Sequence, residues 1–243
     1  MRLRCVMPAL VALSCAVPAA ARDVPTVSIV HSGLFERYCI AQFTPQPGTL
    51  AEIKARLPEF RQAWAAEGPA LLAGASRLAG QPFRFAETVV TLQGCTGVAS
   101  MSAPLTIEAA PFTEAAAASE AAGSEDAAES RKTPGKVSPE PMSKFVYSLW
   151  HELMHRYVSD SIASLPTGTT PLLRAYASEN IVTRNHLHLF AIESLLWRQL
   201  GGDRETAERI AAKRARRARH YVRAYEIVQA EGAEKFFAEL RPR

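Results

Sequence analysis

The run from Phe145 to Val158 limits what this chain can become more than any other stretch. It contains His151-Glu152-Leu153-Met154-His155, a His-Glu-x-x-His pattern. On a helix this spacing sets both imidazoles on one face, a single turn apart. Two neutral imidazoles so placed can grip one Zn²⁺ ion. Glu152 points about 100° further round, toward a water on the metal rather than the metal itself.

The flanking residues fit that helix. With His151 at zero on the helical wheel, His155, Glu152 and Ser148 fall within roughly 100° on one side. Met142, Val146, Leu149, Leu153 and Tyr157 gather on the other, with Trp150 beside them. One face packs and the other carries ligands. The plainer alternative is a surface helix whose histidines face water. Use of Glu152-x-x-His155 as half of a di-iron site is excluded, because no second Glu-x-x-His exists in the chain.

The chain is long enough for a real core: 243 residues, 48% hydrophobic and 21% charged. Its net charge of +4 is too mild to imply nucleic acid. Met1-Arg2-Leu3-Arg4, the apolar Cys5 to Val17 and the small residues up to Ala21 read as a signal peptide, residues 1–21. The mature chain is then exported, periplasmic or secreted. A lipid anchor at Cys15 is disfavoured by Ala12 three residues before it. No later segment reaches 18 continuous apolar residues, so no transmembrane helix is expected. Export leaves Cys39 and Cys95, which read as one disulfide.

Residues 22–112 read as a small α/β part. Val24 to Val30, Tyr38 to Phe43, Phe83 to Leu92 and Met101 to Ala109 are strand candidates. Leu50, Ile53, Leu57, Phe60 and Trp64 mark a helix that Pro58 kinks or breaks, and a further helical piece runs from Pro69 to Leu78. Residues 113–142, rich in Ala, Glu, Ser and Pro, read as a flexible insertion. Residues 143–243 are helical. Thr170-Pro171 opens a helix that can run to Leu200, stopped by Gly201-Gly202. A basic helix follows with Lys213-Arg214-Ala215-Arg216-Arg217-Ala218-Arg219, a run that reads first as a solvated face.

A catalytic two-histidine site needs a third protein ligand and one open position. On an unbroken helix from Pro171, Glu179, His186 and Glu193 are spaced by seven and share a face with Tyr176, Thr183 and Phe190. Glu179 and Glu193 would stand roughly 21 Å apart, too far to serve one ion. Glu179, nearer the metal helix in sequence, is the expected ligand. His186, about 10 Å further on, is expected to bond a substrate carbonyl or orient a ligand. Glu193 reads as an ion-pair partner for an arginine, and His188 as a packed or surface histidine.

With His151-Glu152-Leu153-Met154-His155 and Glu179 on a following helix, the chain resembles the glutamate-zincin (gluzincin) metallopeptidases over Phe83 to Leu200. The third histidine of the metzincin signature is absent, since Ser161 stands at its place. The resemblance implies an α+β, zincin-like fold, with Zn²⁺ held by His151, His155 and Glu179. It implies peptide-bond hydrolysis on a peptide or protein substrate, with Glu152 as general base and His186 or Tyr176 assisting at the carbonyl. The alternatives are an inactive zinc-binding module and an envelope interaction protein using the basic C-terminal helix.

Overall fold

In the computed structural model, residues 24–42, 48–95, 100–113, 141–200 and 218–241 are described. The expected signal peptide, most of the insertion and most of the basic run lie outside them. The described part is an α+β fold. Strands β1 (Thr26–His31), β2 (Glu87–Gln93), β3 (Met101–Ser102) and β4 (Leu105–Glu108) form one sheet in the order β1-β2-β4-β3. β1 and β4 flank β2 in parallel, and β3 pairs antiparallel with β4.

Among the described residues, three helices lie between β1 and β2 in sequence. The first, α1 (Gly33–Gln42), takes in Tyr38 to Gln42, where a strand is expected from the sequence. The residues before it explain the difference. The backbone carbonyl of Ser32 accepts from Glu36, its hydroxyl accepts from Phe35, and Glu36 favours the first turn. A good start here outweighs the β-propensity of Tyr38 and Ile40. Next come α2 (Thr49–Ala55) and α3 (Leu57–Ala79), separated at Arg56. Pro58 sits in the first turn of α3, where its missing N–H costs nothing. Pro69 lies inside α3, so the two helical pieces expected from the sequence are one.

A short 3₁₀ turn (Ala110–Phe112) precedes α4 (Pro141–Ala163), the helix carrying His-Glu-x-x-His. Then follow α5 (Pro171–Ala175), α6 (Ile181–Gln199), α7 (Arg219–Glu231) and α8 (Ala233–Ala238). Of the apolar face expected of α4, Val146, Leu149, Trp150, Leu153 and Tyr157 are buried and Met142 partly so, and Phe145 and Met154, outside that set, are fully covered too. Each such side chain contributes about 1.5–3 kcal/mol by leaving water. α3 packs on this face through Phe60 and Phe145, whose rings stand 4.8 Å apart edge to face. It also closes tightly on α6. A β-carbon added to Gly74 would lie 2.8 Å from Leu196 Cδ1, the end of a flexible side chain, so the two helices pass close here. One hydrophobic cluster runs from Ile29 on β1 to Leu240 after α8, so the sheet and the helices share a core.

Among the described residues no helix is long and apolar enough to cross a membrane. Cys95 is buried after β2, whereas the side chain of Cys39 lies outside the description.

Candidate metal centre

α4 and α6 run antiparallel. Tyr147 of α4 meets Glu193 and Trp197 of α6, and one to two turns further on His151 and His155 meet His186. The two histidines of α4 project together, with ring centroids 4.9 Å apart. His186 Nε2 lies 3.3 Å from His151 Nε2 and 3.1 Å from His155 Nε2. All three donor atoms fall within 4.8 Å of one another.

These distances suit a shared cation. Imidazole nitrogens bind Zn²⁺ at about 2.0–2.1 Å. At a tetrahedral angle this puts two such nitrogens about 3.3 Å apart. The tautomer agrees. His186 Nδ1 donates to the Val182 carbonyl at 2.7 Å, so a neutral ring turns the Nε2 lone pair toward the other two histidines. His186 is 5% exposed. Burial lowers the pKa of His155 to about 4, so at neutral pH it too is an uncharged donor. A trio of this kind, His186 buried and His151 and His155 half-buried, can hold a metal ion. Imidazole donors suit zinc, copper, iron and nickel better than magnesium or calcium.

Glu179 does not join the trio. Its carboxylate accepts from Arg223 Nε at 2.9 Å and Nη2 at 2.7 Å. The reason is a break in the helix expected to be continuous. After α5 the chain turns through Tyr176 to Glu179, and Asn180 starts α6 by accepting from the Val182 amide at 2.9 Å. Seven-residue spacing across that break no longer means a common face, and it is His186 that lies beside the other two histidines. Tyr176 donates instead to Glu231 at 2.8 Å, away from the histidines. Glu193 accepts from the Tyr147 hydroxyl. His188 is packed, as expected: it is buried and bonded to Glu239 at 2.8 Å.

Glu152, next to His151 on α4, is half-buried, and its charge acts on Tyr221 of α7. The Tyr221 ring lies 4.4 Å from that of His186. Burial raises the phenol's pKa, and the Glu152 charge raises it further. Thr183, one turn before His186, donates to the His220 carbonyl at 3.1 Å and so pins the start of α7 against α6. Tyr221 lies beyond the basic run and is not among the candidates the sequence offers. Tyr221, Ala224, Tyr225 and Val228 at helical spacing could have revealed a packing face. Nothing local ties Tyr221 to Glu152. Compared with known proteins, the chain matches no family model, no curated protein and no solved structure at significance.

Proposed function

We propose that the chain is a metal-dependent hydrolase, with His151, His155 and His186 holding zinc and Glu152 acting as general base on a peptide bond. The convergence of three histidine nitrogens beside Glu152 carries this reading. The peptide substrate comes from the His-Glu-x-x-His resemblance.

A divalent ion in such a site polarises a carbonyl oxygen and makes water a better acid. The chain's own groups do the rest. Glu152 takes the proton of the attacking water and returns it to the leaving amine. The Tyr221 hydroxyl donates a hydrogen bond to the carbonyl oxygen as charge grows on it. The partial burial of the trio keeps these electrostatic interactions stronger than in open water. An export signal in residues 1–21 and a Cys39–Cys95 disulfide belong to the same reading, which locates the activity in the cell envelope or outside it.

The test is Glu152→Gln. The variant should keep its zinc while hydrolysis of a mixed peptide library falls by at least about 10²-fold, the usual contribution of a general base. Undiminished hydrolysis would refute the assignment.

A further inference from the structure

A polar stripe of α4 lies between its histidine face and its packed face. With His151 at zero on the helical wheel, His155 stands at roughly 40°, Glu152 at roughly 100° and Arg156 at roughly 140°, before the buried Leu153 and Tyr157 at roughly 200° and 240°. Arg156 is one turn beyond Glu152, about 6 Å along the axis. Its side chain reaches the beginning of β2. The guanidinium carbon lies 3.9 Å from the centre of the Phe85 ring, and Nη1 lies 3.4 Å from Thr88 Oγ1. Phe85 and Thr88 are both buried, so the guanidinium rests on a firm platform. Yet among the described residues it makes no short bond to a carboxylate. Arg56, Arg198 and Arg223 each donate to one at 2.7–2.9 Å, the range of charge-assisted bonds. Arg156 meets Asp160 only at 3.9 Å, and its side chain stays 40% exposed.

We propose that Arg156 determines specificity at this centre by binding a carboxylate of the peptide substrate one helical turn from Glu152. An acidic side chain beside the cut bond and a free C-terminus present the same planar pair of oxygens to the guanidinium fork. The ring beneath it and the Thr88 hydroxyl hold the fork in place, so little side-chain freedom is lost on binding. A substrate carboxylate also displaces no short ion pair there. The inference rests on the peptidase reading above and deepens it, by naming the part of the substrate that the chain recognises.

Library peptides are made in paired forms, with Glu or Gln beside the cut bond and with a free or an amidated C-terminus. Zinc-loaded wild type and Arg156→Gln are assayed on each pair, and the same pairs are titrated into both proteins without metal, where only binding is read. Wild type should favour the carboxylate form of one pair by about 10-fold in kcat/KM and in Kd, the effect of one charge-assisted bond. The pair that shows the preference identifies the source, side chain or C-terminus. In Arg156→Gln the ratio should fall to about one. A ratio within one protein does not depend on how much of it is folded, so a merely structural role for Arg156 would leave the ratio in place. Wild type without preference for either carboxylate overturns the proposal, as does a preference that survives in Arg156→Gln. If zinc-loaded wild type cleaves no peptide, the proposed function fails, and the metal-free Kd ratios decide this inference by themselves.

Discussion

The Nε2 atoms of His155 and His186 lie 3.1 Å apart although 31 residues of chain separate them. Two helices must meet in one register to achieve this, and the meeting is built into their packing. The apolar face of α4 is buried on α3 and the sheet, which turns its histidine face toward α6. The close approach of α3 at Gly74 holds α6 alongside.

If the Tyr221 hydroxyl assists at the carbonyl, Tyr221→Phe should lower kcat by about 10²-fold, as loss of a donor to a developing oxyanion does. KM and zinc content should change little, because the ring still packs on His186. Steady-state kinetics with metal analysis checks both. A variant with wild-type kcat would remove Tyr221 from the mechanism.

Leu153 lies between Glu152 and Met154 on α4 and is fully buried. Leu153→Ala should cost about 2–5 kcal/mol in chemical denaturation, through lost burial and the cavity left behind. Because α4 carries two of the three histidines, zinc affinity should fall with it. A cost well below this range would mean that α4 packs more loosely than its burial indicates.

Glu239 ties the end of the chain to α5 and α6, accepting from the Leu172 amide at 2.8 Å and meeting His188 Nε2 at 2.8 Å. Burial pushes its carboxyl pKa up, but the bonds from His188, Thr170 and Leu172 outweigh that and hold it below its ordinary value. A carboxyl lowered on folding stabilises above its unfolded pKa, near 4.5, and loses that contribution as pH falls through the folded value. Glu239→Gln should therefore lose about 1–3 kcal/mol at pH 7, the cost of breaking a buried charge-assisted bond. It should also flatten the decline of stability below pH 5. Denaturation curves at pH 7 and pH 3 test this, and equal acid sensitivity in the two proteins would contradict it.

Legibility in the sequence followed the range of the interactions. His151, His155 and the buried face of α4 were readable because helical periodicity is local. The sequence singles out His186 but not its nearness to both other histidines, because a continuous helix is expected where Asn180 caps a second. Asn180 is a residue type that favours starting helices, so that signal was present. Tyr38 to Gln42 read as strand because β-propensity was weighed without the hydrogen bonds at Ser32. Tyr221 could not be read at all, since its place beside His186 depends on how α7 returns across α6.

Zinc stoichiometry of three purified proteins tests the centre most directly. Wild type should bind a single zinc, His186→Ala should lose it, and Glu179→Ala should keep it. Glu179→Ala should give up no more than about 1 kcal/mol of stability with its exposed pair to Arg223. Zinc retained by His186→Ala and lost by Glu179→Ala would contradict the three-histidine centre and restore the carboxylate as third ligand.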